Sequence, residues 1–301
     1  MSRRFRWWSG AVMVPSFLAL GGLWVGGTIA SAPSPAVIGA PPADLPVEAV
    51  TIPSGSGSRL SGWFVPGAPH GGAVLLMHGV RANRLEMLDR ARLLHREGFA
   101  GLLFDFQAHG ESPGAAITFG YLEAKDARAA FDELRRRAPG ERIGVVGVSL
   151  GGAAAILSDP PLEADAMVLE AVFASFDTAV ENRVAMNLGP AGRYLAPLIT
   201  PLLTGQVQPR LGFDPALLRP AARIAAIHAP LLLIAGDADQ HATLAEMTLI
   251  FAKANPPKEL WVIPGAHHQD FLRYAGVAYE HRVIEFLRPR LTRSASAATR
   301  P

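Results

Sequence analysis

Short apolar runs recurring between helix-like stretches constrain this chain more than any other feature. Ala73–Met77, Leu102–Phe106, Arg142–Val148, Ala166–Val172, Pro230–Ala235 and Glu259–Ile263 are each one strand long, and most are apolar on both faces. Such runs suit strands buried from both sides, as in parallel sheets. Between them, Leu85–Glu97, Tyr121–Arg137, Leu150–Ser158, Thr243–Ala254 and Asp270–Leu291 carry helical spacing, with Gly98 and Pro139-Gly140 as stop signals. Glu48–Ile52 and Arg59–Val65 flank Ser54-Gly55-Ser56-Gly57 and read as a hairpin. The alternation predicts an α/β fold with a mostly parallel sheet and helices on both faces. Ligands in such sheets bind at the carboxyl ends of the strands. Residues 174–222 break the alternation; they read either as an irregular connection packed on the domain or as a small apolar lid over those ends.

The two ends differ from the body. Of 28 basic residues, Arg3, Arg4 and Arg6 open the chain and Arg288, Arg290, Arg293 and Arg300 close it, while no acid precedes Asp44 or follows Glu285. The body is therefore net negative, which argues against a nucleic-acid groove. The tail, 292–301, reads as disordered. Trp7–Ala30 has no charge, is long enough to span a bilayer, and follows three arginines that favour the cytoplasmic side. Residues 1–32 are thus expected to act as a signal or membrane anchor, with the domain that follows outside the cytoplasm. Ala30-Ser31-Ala32 resembles a signal-peptidase site, but Pro33 opposes cleavage. Ser2-Arg3-Arg4-Phe5 departs from the twin-arginine pattern. Residues 33–46, rich in Pro and Ala, read as a linker into a domain at 47–291. With no cysteine, thiolate catalysis, disulfides and Cys-based metal sites are excluded.

The run ending at Val148 leads into Gly147-Val148-Ser149-Leu150-Gly151, a G-x-S-x-G at a strand-to-helix junction. A serine there sits on a turn tight enough to push its hydroxyl out of the sheet. In a chain with 30 glycines the pattern alone is weak, so context must carry it. A serine hydroxyl needs a base, and the base an orienting acid. Gly236-Asp237-Ala238-Asp239 follows one later strand, and Pro264-Gly265-Ala266-His267-His268 follows the next. Both lie on the same sheet edge as Ser149, in the order serine, acid, histidine.

These residues resemble the α/β-hydrolase superfamily, and within it serine aminopeptidases and monoglyceride-lipase-like esterases, over about residues 47 to 290. The resemblance places the acid last in G-x-x-D and the base last in G-x-x-H, which implies Asp239 over Asp237 and His268 over His267, with Glu170 a distant third acid. It implies a eight-stranded-type sheet and an oxyanion hole from the Leu150 amide and the Val80 amide in His78-Gly79-Val80-Arg81. His78 is expected to hold its loop, and Asp105–Ser112 to be fold-holding turn chemistry. Arg81, Asn83 and Arg84 are candidates for the pocket mouth.

The implied function is a serine hydrolase cleaving an ester or related acyl bond through Ser149, His268 and Asp239, without cofactor or metal, on a small-molecule acyl ester or peptide. An aminopeptidase would need an acid for the substrate's amino group, with Glu170 or Glu181 as candidates. Acyl transfer is a further alternative on the same triad. Outside enzymes, a non-catalytic membrane-tethered binding protein would keep the fold alone.

Overall fold

The computed structural model describes residues 21–292. Eight strands form one sheet: β2 (Glu48–Pro53), β3 (Arg59–Val65), β4 (Ala73–Met77), β5 (Ala100–Phe104), β7 (Ile143–Val148), β8 (Ala166–Glu170), β9 (Leu231–Gly236) and β10 (Lys258–Ile263). Their order is β10-β9-β8-β7-β4-β5-β3-β2, parallel from β10 to β5 and antiparallel at β3 and β2. A two-residue pair, β1 (Ser34–Pro35) with β6 (His109–Gly110), lies apart from it. The expected hairpin and mostly parallel sheet are both present.

Alternate residues of each central strand feed opposite cores. In β4, Ala73, Leu75 and Met77 enter one cluster, and Val74 and Leu76 the other. Each large side chain so buried contributes about 1.5–3 kcal/mol, which is why these runs lack a polar face. On one side the core is closed by α3 (Tyr121–Arg137), α4 (Leu150–Leu157) and α9 (Leu244–Lys253), on the other by α2 (Leu88–Arg96), α10 (Phe271–Ala275) and α11 (Val277–Leu291).

Three local expectations are corrected. The fourth strand of the sequence begins at Ala100 and ends at Phe104, two residues earlier than its apolar run suggested. Asp270–Leu291 is two helices, because Gly276 adopts φ 51° and ψ −123°, outside the helical region. The Pro/Ala-rich stretch before the domain is docked: Ser34 and Ala36 donate to the Ala108 and Gly110 carbonyls at 2.7 and 2.9 Å, and Asp44 pairs with Arg92.

The 174–222 stretch is helical. It holds α5 (Phe176–Asn187), α6 (Gly192–Thr204), α7 (Val207–Leu211) and α8 (Pro220–Arg223). Ahead of them in the chain, α1 covers residues 21–31. No helix among the described residues is long and apolar enough to cross a membrane. The expected membrane segment lies mostly in residues 1–20, outside the described residues, as does most of the expected disordered tail.

Candidate active site

The parallel strands β4, β7, β9 and β10 end on one edge, and each hands the chain to a loop carrying a candidate residue. After β7 comes Ser149, with φ 48° and ψ −107°, a left-handed backbone for a residue that is not glycine. Its amide donates to the Glu170 carbonyl at 2.8 Å. The flanking glycines have a steric cause: a Cβ at Gly147 would stand 2.7 Å from the Gly152 amide nitrogen, and one at Gly151 2.3 Å from the Met77 carbonyl oxygen. Turn and helix can approach the sheet this closely only without those side chains.

Beyond β9, Asp239 is buried and its carboxylate is fully engaged. Oδ1 accepts from the His241 and Ala242 amides at 2.7 and 3.0 Å, and Oδ2 lies 2.8 Å from His268 Nδ1. His268 follows β10 on the next loop. The other candidates are elsewhere. Asp237 Oδ1 accepts from the Gly265 amide at 2.6 Å, tying the two loops together, and His267 is exposed. Glu170 is bound to Arg90 at 2.8 Å and to Tyr279. The His241 ring lies 4.9 Å from the His268 ring, centroid to centroid. Burial, then the neighbouring His268 and Arg183, hold the His241 pKa below its ordinary value, so it sits beside the base as a neutral group.

Beyond β4, His78 is buried between two loops. Its Nε2 accepts from the Phe106 amide at 3.1 Å, which assigns the proton to Nδ1 for donation to the Gly79 carbonyl at 2.7 Å. Burial drives its pKa down to about 3. A neutral, doubly bonded histidine is a brace, in line with the loop-holding part expected of it. Arg84 is no part of the pocket: it is buried, bonded to Asp105 and Glu111, and Asp105 in turn accepts from the Arg84 and Glu111 amides at 2.7 and 2.9 Å. Asn83 caps the turn that follows by accepting from the Leu85 amide. Arg81 does border the pocket.

Ser149, Leu150 and Val80 line one cavity of about 630 Å³. Neither the Leu150 nor the Val80 amide donates to another described residue, and Ser149 Oγ also lacks a hydrogen-bond partner among them. Most of the remaining lining is apolar, from Phe119, Phe173, Val180, Val184, Ile199 and Leu203. α1 also lines the cavity, through Leu23, Gly26, Gly27 and neighbours. Two arginines hold it there: Arg81 donates to the Ile29 and Ala30 carbonyls, and Arg210 to the Trp24 carbonyl and Thr28 hydroxyl. The Arg210 guanidinium also lies 4.2 Å from the Trp24 ring centroid.

An alpha/beta hydrolase family model matches residues 64–280. The chain belongs to the alpha/beta hydrolase family. It is 34% identical over 230 residues to the uncharacterized protein Rv2307c of Mycobacterium tuberculosis, covering 73% of this chain and 72% of that one. It is 27% identical over 248 residues to the uncharacterized protein YqkD of Bacillus subtilis, with 79% and 78% covered. Among solved structures, the Pyrococcus furiosus esterase Pf2001 aligns with a TM-score of 0.70 at 27% identity, covering 87% of this hydrolase and 98% of the esterase. These matches reach the superfamily and do not single out the narrower likeness to serine aminopeptidases and monoglyceride lipases.

Sequence reasoning missed three parts of the hydrolase's site. Glu86 accepts from the Gly79 amide at 2.6 Å and so holds the loop that carries Val80. Burial, the largest influence on it, pushes its pKa up. Arg183 lines the cavity from α5, and α1 closes it. None carries a motif, since each is brought to the site by packing between distant segments.

Proposed function

We propose that this hydrolase is a serine esterase acting on substrates with an apolar acyl portion. The observation that carries the reading is Ser149 on a strained turn, facing a largely apolar cavity beside two unpartnered amides. Downstream on the same sheet edge, His268 is already paired with Asp239.

In the proposed mechanism, Ser149 Oγ attacks the ester carbonyl carbon while its proton passes to His268 Nε2. Asp239 keeps Nδ1–H oriented and stabilises the imidazolium. The carbonyl oxygen becomes an oxyanion held by the Leu150 and Val80 amides, each such donor being worth about 3 kcal/mol of transition-state stabilisation. Collapse expels the alcohol, which takes the proton from His268, and leaves an acyl-Ser149 ester. Water then attacks that ester with His268 again accepting a proton, and the carboxylic acid departs as the proton returns to Ser149. The nucleophile–base hydrogen bond in a free enzyme is often long and tightens with substrate bound.

An aminopeptidase would need a carboxylate for the substrate's amino group. Among the described residues lining the cavity there is none, whereas Arg81, Arg183 and Arg210 are present. Labelling with a fluorophosphonate tests the esterase reading. Wild type should label and Ser149→Ala should not, and nitrophenyl acyl esters should be cleaved in preference to aminoacyl-anilides. A folded wild-type chain that stays unlabelled, or equal labelling of Ser149→Ala, defeats it.

The proposed reading also keeps the chain at a membrane, N-terminus cytoplasmic and domain outside. With 22–31 docked on the domain, the uncharged stretch from Trp7 to Gly21 offers 15 residues, about 22 Å as a helix against a core of about 30 Å. The span must therefore draw on α1, setting the domain against the bilayer. Trp24 and Val25 on α1, and Tyr194, Leu198 and Leu202 on α6, expose large apolar side chains on two helices bounding the same cavity. The full chain should stay with membranes after an alkaline carbonate wash; release, or a mature chain starting near Pro33, would defeat anchoring.

A further inference from the structure

The cavity's apolar wall contains one unneutralised cation. Phe176, Ala179, Val180, Arg183, Val184 and Asn187 form the face of α5 that lines it, and Arg183 is the one charged residue among them. The two other arginines at the cavity are occupied with α1. The Arg183 side chain makes no hydrogen bond or ion pair with any described residue. The residues outside the described range, 1–20 and 293–301, contain no Asp or Glu that could neutralise it. Asp239 is the acid that most influences it, yet both Asp239 oxygens are already taken by His268 and by the His241 and Ala242 amides.

A guanidinium stays charged under all ordinary conditions and presents a planar set of donors suited to carboxylate or phosphate. Holding it half-buried and unpaired in an apolar cleft costs free energy, and an incoming anion removes that cost. A neutral acyl ester would leave the donors unmet. On the reading of this site as an esterase, we infer that Arg183 binds an oxyanion on the substrate, so that the preferred esters are acyl esters carrying a carboxylate or phosphate. The charge lies either at the far end of the acyl chain or on the alcohol portion.

Two pairs of twins separate these sources. For the acyl side, 4-nitrophenyl hydrogen adipate is compared with 4-nitrophenyl hexanoate; for the alcohol side, 1-hexanoylglycerol 3-phosphate is compared with 1-hexanoylglycerol. The readout is the ratio of kcat/KM for the anionic over the neutral twin within each protein, so a general loss of activity cancels. In wild type the ratio should exceed one by about tenfold or more for one pair, the size expected of a charge-assisted hydrogen bond. It should collapse toward one in Arg183→Gln and be partly restored in Arg183→Lys, with the change in KM. Normal turnover of neutral twins with no preference in either pair overturns the inference, as does an unchanged ratio in Arg183→Gln. If Ser149→Ala hydrolyses the esters as fast as wild type, the Ser149 mechanism falls, and if folded wild type hydrolyses no ester of either pair, the esterase reading itself falls; both results are distinct from a lost preference.

Discussion

At the scale of single residues, the candidate site divides into groups that a motif announces and groups that only packing delivers. The candidates Ser149, Asp239 and His268 were legible in part: strand-like runs placed all three loops on one edge, while the choice of Asp239 over Asp237 and of His268 over His267 came from the family resemblance. Leu150 came as the residue after the candidate nucleophile, and Val80 from the resemblance of its loop to the family's. Glu86 was not legible: it lies in a turn, and its part follows from the 2.6 Å bond to the Gly79 amide. Glu86→Ala should lower kcat by about 10- to 100-fold with little change in KM, as loosening of an outer support does. Glu86→Gln, which still offers an acceptor oxygen, should recover most of it; steady-state kinetics on a nitrophenyl ester read both. Asp239→Asn should lower kcat by about 10⁴-fold by leaving His268 misoriented. His78 sets a pH dependence. Its folded pKa of about 3 lies below the ordinary 6.5, so the unfolded chain binds the proton first. Its contribution to stability is whole above 6.5 and is lost as the pH falls from 6.5 toward 3. Thermal midpoints should drop across that window in wild type and drop less in His78→Gln.

Elements were readable where one pattern governed the whole length. The buried strands are where the apolar runs indicated, with ends shifted by up to two residues, and α3 has the bounds its spacing indicated. Asp270–Leu291 did not, because helical spacing continues across Gly276 while the backbone breaks there. The 174–222 segment resisted because α6 contains Pro197 and Pro201, which read as breakers in isolation. The position of α1 was illegible for a different reason. An apolar, uncharged helix announces burial of some kind, and nothing in its sequence says that part of it faces a protein cavity. Packing between α1 and the start of α7 is close: a Cβ on Gly27 would stand 2.8 Å from Oε1 of Gln206, just ahead of α7, and 3.3 Å from an Arg210 guanidinium nitrogen within it. Arg210→Ala in the full chain should leave the thermal midpoint nearly unchanged, since exposed polar contacts contribute little. It should shift the preferred acyl length, read from nitrophenyl esters of increasing chain length; an unchanged profile would detach α1 from substrate selection.

Across the whole molecule, one buried charge cluster ties the sheet to the helices behind the site. Arg90 on α2 reaches Glu170 at the end of β8, Tyr279 on α11 and Asp270 at the start of α10, and both Arg90 and Glu170 are almost wholly buried. Glu170 is therefore engaged in the fold and is not among the described residues lining the cavity. Arg90→Met alone should cost about 3–5 kcal/mol in urea unfolding, because it strands a buried carboxylate, while Arg90→Met with Glu170→Leu should cost far less. Equal losses in the two proteins would show that the pair itself, and not the stranded charge, is what matters. At this scale the fold class was legible, since strand–helix alternation is a property of the chain as a whole. The long-range partners were not, because Arg90 and Tyr279 lie 189 positions apart.

The hold of Arg81 on the α1 carbonyls has a practical side. Arg81 adjoins Val80, so the peptide that supplies one proposed oxyanion donor is hitched to the chain's leading segment. A version trimmed to begin at Pro33 would lack a cavity wall and an anchor for that peptide. Its kinetics would describe a different catalyst, and an inhibitor screen run on it would reward compounds that fill a gap absent when residues 21–32 are present.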